Sequence, residues 1–130
     1  MPHVSLEYSG NLADAVDIGA LCEEIRATAA RMDAFAMPGV RVRALKVDHF
    51  AIADGDPKHG FIDISVRLRG GRPLEVRKAA TAELFAAVEA YLAPVMATRS
   101  IALSLEMRDI DPELSPKSGT IRDHLKIEAP

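Results

Sequence analysis

The strongest constraint on this chain is that it writes one pattern twice: an alternating strand, a glycine-bearing break, an amphipathic helix and a second strand. His3-Val4-Ser5-Leu6-Glu7-Tyr8 alternates polar and apolar residues as a half-buried strand does, and Ser9-Gly10-Asn11 breaks it. Asp17 suits the N-cap of a helix with Ile18, Leu21, Cys22, Ile25 and Ala29 on one stripe. Met37-Pro38-Gly39 closes that element, and a strand with room for a bulge is predicted from near Val40 toward Ala51. After the turn signal Asp54-Gly55-Asp56-Pro57 the pattern restarts. Ile62, Ile64, Val66 and Leu68 alternate with Asp63, Ser65, Arg67 and Arg69, and Gly70-Gly71 ends the run. Pro73 suits the first turn of a helix presenting Ala80, Leu84, Phe85, Val88, Tyr91 and Leu92 on one face, and Pro94 marks its frayed end or a kink. Ile101, Leu103, Leu105 and Met107 form the last alternating strand.

The predicted class is α+β. Each crossover makes its two strands parallel and right-handed, so two β-α-β repeats give a four-stranded mixed sheet with two helices on one face. The expected organisation is a single domain over residues 1–130. Repeat one spans about 2–53, repeat two about 60–108, and 109–130 is an irregular tail. The opposite sheet face is expected to be bare and apolar, with Leu6, Tyr8, Leu103 and Leu105 or their alternates needing cover. Self-association is the economical way to supply it.

Composition narrows the class of partner. A 48% hydrophobic content argues against disorder, and a net charge of -3 disfavours nucleic acid. One cysteine, Cys22, cannot form an internal disulfide, which points to a reducing compartment. The terminus Met1-Pro2-His3-Val4 lacks a basic region followed by an apolar one, and charged residues interrupt the apolar stretches. The expectation is a cytoplasmic protein without a membrane partner.

Few residues carry chemistry. His3, His49, His59 and His124 lack metal-ligand spacing, and Cys22 lies on an apolar helix stripe, so neither a metal nor a thiol nucleophile is expected. Gly70-Gly71-Arg72-Pro73-Leu74 leads a strand into a helix but lacks a nucleotide fingerprint. Pro2 is the unusual residue. Initiator methionine is removed before a small second residue, leaving a free prolyl amine at the start of a strand. Burial beside arginines would lower its pKa toward the working pH, as abstraction of a proton next to a carbonyl requires. Six arginines fall between positions 41 and 77, among them Arg41, Arg43, Arg67, Arg69 and Arg72, although the chain is acidic overall. Guanidinium groups grip carboxylates through paired hydrogen bonds.

These segments, in this order, resemble a known family. Pro2-His3 leading to Glu7-Tyr8-Ser9, Gly39-Val40-Arg41-Val42-Arg43-Ala44, Ala53-Asp54-Gly55, Gly71-Arg72-Pro73-Leu74-Glu75-Val76-Arg77 and Ala102-Leu103-Ser104-Leu105-Glu106 are similar to the 5-carboxymethyl-2-hydroxymuconate isomerase family of the tautomerase superfamily. The resemblance runs from residue 2 to about 126, through Leu114 and His124-Leu125-Lys126. It implies a tautomerase-like homotrimer with inward-facing sheets, Pro2 as the catalytic group, and Arg41 and Arg72 as carboxylate-binding residues. In related tautomerases these arginines come from chains other than the one supplying the proline, so a monomer is expected to be inactive. It further implies an isomerase with no metal and no cofactor, moving a double bond in an unsaturated polycarboxylate within homoprotocatechuate degradation, a route of aromatic compound catabolism. Two alternatives share this frame: a tautomerase of another unsaturated 2-oxo acid, and a silent trimer that only holds a carboxylate.

Overall fold

Each strand of the sheet is decided by which face of it can be buried. The computed structural model describes residues 1–126. Its strands are β1 (Pro2–Ser9), β2 (Arg41–Val47), β3 (His59–Arg69) and β4 (Ser100–Ile110), with helices α1 (Ile18–Ala30) and α2 (Leu74–Met96). The sheet order is β2-β1-β3-β4; β1 runs parallel to β2 and antiparallel to β3, and β3 runs parallel to β4. This is the mixed sheet of two β-α-β units that the repeat predicts. Val4, Leu6, Ile62, Ile64, Val66 and Leu68 are all at most 1% exposed, because both helices cover that face. From α1, Leu21, Ile25 and Ala29 complete the core; from α2, Leu84, Val88 and Leu92 do so.

The Asp17 side chain caps α1 by accepting from the Ala20 amide at 3.0 Å, as predicted. Pro73 caps α2, and Pro94 lies within its last turn, where the missing amide costs little and the helix continues to Met96. By length and composition α2 could cross a membrane, contrary to the expectation that charges break every such stretch. Its Ala80, Leu84, Val88 and Leu92 instead pack on the sheet, which makes it a core helix.

Three expectations need correction. β2 stops at Val47, without a bulge, because its partner β1 ends at Ser9, which pairs with Val47. The tail begins two residues later than expected, because β3 continues to Arg69 and gives Asp109 and Ile110 partners in Leu68 and Arg69. The residues 127–130 of that predicted tail lie outside the described residues.

The third correction concerns the open face. Leu6, Tyr8, Leu103 and Leu105 all pack toward the helices, so they are not the uncovered surface. The alternate residues are, and they are mostly polar. Register places Arg41, His3, Arg67 and Arg108 in one row across the four strands. Two steps beyond the next row stand Glu7 and Asp63, directly paired. The open face thus grades from basic at the start of β1 toward acidic, and apolar burial supplies no argument for covering it.

Candidate active site

The basic end of that face is also where the chain begins. A cleft of about 680 Å³ opens there, lined by Met1, His3, Gly39, Arg41, Arg67 and the segment Ser115–Gly119 with Ile121 and Arg122. Volumes of this order accommodate small organic ligands. The lining holds Arg41, Arg67, Lys117 and Arg122 and no aspartate or glutamate. None of these four cations has an ion-pair partner among the described residues.

Local structure explains each placement. Met37–Gly39 forms a short 3-10 turn ending in Val40, which delivers Arg41 into the first position of β2, opposite His3. Arg41 Nη1 donates to the Gly39 carbonyl at 3.2 Å, which fixes the root of the guanidinium. Gly39 lies close against Met1: a Cβ there would stand 1.8 Å from the Met1 nitrogen. Arg72 follows Gly71, whose φ of 114° lies in the left-handed region that favours glycine. Its Nη1 donates to the Arg69 carbonyl at 3.0 Å, and its own carbonyl accepts from Arg77 Nε at 3.1 Å.

The electrostatics converge on the terminal amine. Burial, followed in falling order by the charges of Arg41, Lys117, Arg122 and Arg72, holds the Met1 amine below its ordinary value. His3 is likewise held below the usual imidazole range, by burial and then by Arg67, Arg43 and Arg41. A neutral His3 suits its 3.2 Å contact with Arg43, because Nδ1 can then accept from Arg43 Nη1.

The structure therefore treats the three sequence-predicted residues differently. Pro2 is buried in β1, paired with Leu68, immediately after the residue that lines the cleft. Arg41 lines the cleft of its own chain, so its approach to the terminus does not depend on a second copy. Arg72 stands outside the lining and influences the amine least of the four cations. Lys117 and Arg122 were missed, since isolated basic residues in a Pro- and Gly-bearing tail carry no local signal. Arg67 shares a strand face with Arg69 in the sequence pattern, but only the register with His3 reveals that it borders the cleft.

Comparison with known proteins adds an independent line. The family model for 5-carboxymethyl-2-hydroxymuconate isomerase matches residues 2–125. The chain is 31% identical over 121 residues to the 5-carboxymethyl-2-hydroxymuconate Delta-isomerase of Escherichia coli, covering 93% of this chain and 96% of that protein. A solved 5-carboxymethyl-2-hydroxymuconate delta-isomerase superposes with a TM-score of 0.89 at 29% identity, over 99% of this chain and 96% of that one. A 5-carboxymethyl-2-hydroxymuconate isomerase from Deinococcus radiodurans R1 does so at 0.86 and 30%, over 95% and 92%. A fused 4-OT described as a symmetric trimer shares the fold, at 0.58 and 19% over 84% and 85%.

Proposed function

The chain belongs to the 5-carboxymethyl-2-hydroxymuconate isomerase family, and we propose that it moves a carbon–carbon double bond in 5-carboxymethyl-2-hydroxymuconate through the amine of Pro2. The observation that carries this reading is an amino terminus seated in a cleft lined with cations and no acids. Such a cleft suits an unsaturated polycarboxylate and tunes an amine toward its neutral, basic form.

The mechanism requires loss of Met1, because until then the Pro2 nitrogen is an amide. Met1 itself lines the cleft and lies against Gly39, so its removal also opens room for substrate. The freed amine stands one residue further in, about 3.8 Å along the chain, next to the same cations. As the neutral amine, Pro2 takes a proton from the substrate. The resulting ammonium returns a proton at another carbon, and the double bond shifts. Arg41 and Arg72 hold carboxylates and stabilise the dienolate charge that develops between the two transfers.

Three finer features belong to this proposal: assembly as a homotrimer, a cytoplasmic setting, and a place in homoprotocatechuate degradation. The outer edges of β2 and β4, unpaired among the described residues, support assembly, as does the trimeric fused 4-OT of the same fold. Sedimentation is expected to give about three times 14.0 kDa; a stable monomer with full activity contradicts the assembly. The pH profile tests the base. Since Pro2 must be neutral to act, kcat/KM should rise with pH through a pKa below the ordinary amino-terminal value of about 8, measured by initial rates. A profile flat from pH 5 to 9 removes Pro2 from the proton transfer.

A further inference from the structure

The segment after β4 folds back over the start of the chain. Its first anchor is the turn at Asp111, whose side chain accepts from the Glu113 amide at 2.9 Å and whose carbonyl accepts from the Leu114 amide at 3.2 Å. Its second is the 3-10 turn Ile121–His124. Between and within these anchors, Lys117 and Arg122 face the cleft. Neither makes an ion pair or a side-chain hydrogen bond among the described residues. Elsewhere some basic residues pair with acids, Arg26 with Glu23, Arg77 with Asp109 and Arg108 with Glu106; what sets Lys117 and Arg122 apart is their place in a cleft whose lining has no acid. Two cations carried by that turned segment, in a cleft without acids, form a complement for an anion.

The substrate class contains that anion. 5-Carboxymethyl-2-hydroxymuconate carries three carboxylates, two at the ends of the muconate chain and one on the carboxymethyl arm. In the isomerase reading above, Arg41 and Arg72 take two. We propose that Lys117 and Arg122 bind the third, so that the tail reads the carboxymethyl arm and sets the preference for a tricarboxylate over a dicarboxylate. This inference rests on the isomerase reading above and assigns the tail a specificity role within it.

Steady-state kinetics of the purified full chain on two substrates test it: 5-carboxymethyl-2-hydroxymuconate, and 2-hydroxymuconate, which has the same dienol chain without the arm. Wild type should prefer the tricarboxylate. Lys117→Gln and Arg122→Gln should each lower kcat/KM on it by about tenfold to a hundredfold, as expected for removing a charged hydrogen-bonding group. The loss should lie mainly in KM. On 2-hydroxymuconate both variants should lose several-fold less than on the tricarboxylate, since there only their charge beside the terminal amine is lost, and Lys117→Arg should recover most of the tricarboxylate rate, since it keeps the charge. Equal losses on both substrates, no loss on the tricarboxylate, or a wild type indifferent to the arm would each overturn the assignment. A wild type that converts neither substrate overturns the isomerase reading itself, and does so before any variant is compared.

Discussion

Two clefts of this molecule differ in how their charges are satisfied. The one at the amino terminus has Arg41, Arg67, Lys117 and Arg122 without an acid in its lining. The other, about 460 Å³, lies at the far end of β1 beside Asn11, Phe50, Asp56 and His59. There, Asp48 and His49 apart, the polar groups at the loop are bonded to one another or to neighbouring backbone and side chains. His59 Nε2 bonds Asp54 Oδ1 at 2.8 Å, and its Nδ1 bonds Ser100 Oγ at 2.7 Å. Asp56 Oδ1 accepts from the Lys58 amide at 2.9 Å, and Asn11 Nδ2 donates to the His59 carbonyl at 2.8 Å. Polar groups that satisfy each other hold a loop in place; cations left unsatisfied in a cleft are free to bind an anionic ligand.

Breaking that contrast at the amine should have the largest effect. Pro2→Ala replaces the ring nitrogen with a less constrained primary amine, and kcat should fall by about a hundredfold or more, measured by initial rates on processed protein. Turnover equal to wild type would take Pro2 out of the mechanism. Next in size, Arg41→Lys keeps the charge but loses the planar fork, and kcat/KM should fall by about a hundredfold. Arg72→Lys should cost only about tenfold, because Arg72 lies outside the lining and bears least on the amine. Kinetics matching wild type at both positions would remove the carboxylate grip.

The second cleft supplies the opposite expectation. His59→Gln should leave kcat/KM within about twofold while lowering folding stability by about 1 kcal/mol, through the loss of internal hydrogen bonds, measured by urea denaturation. A large loss of activity with intact folding would show that the satisfied cluster also serves the reaction. The smallest effect concerns His3. Held below the usual imidazole value, it stays neutral in the folded chain at a pH where the unfolded chain already binds a proton. Stability should therefore fall as pH drops below about 6.5. His3→Gln should shrink the difference between urea midpoints at pH 7 and pH 5.5, and an undiminished difference would assign the effect to other groups.

The same contrast explains what could be read from the sequence. The repeat was legible because strand and helix periods depend on burial, and Val4, Leu6, Ile62 and Ile64 alternate as buried residues must. The placement of Arg41 and Pro2 at the starts of alternating strands was legible from the same period; their roles came from the family resemblance alone. The sidedness of the sheet was not. Alternation says that one face is buried without saying which, and Leu103 and Leu105 face the helices although the same pattern would allow the reverse. Lys117 and Arg122 were hidden for a different reason. Their position depends on the tail turning back at Asp111 and again at Ile121–His124, long-range geometry that no local period encodes.

The most direct test joins intact mass with a substrate assay on one purified sample. The account predicts a chain shorter by Met1 that isomerises 5-carboxymethyl-2-hydroxymuconate, with Pro2 as the free terminal amine. A chain that retains Met1 and turns over at the full rate would contradict it, because the Pro2 nitrogen would then be an amide and could not carry the proton.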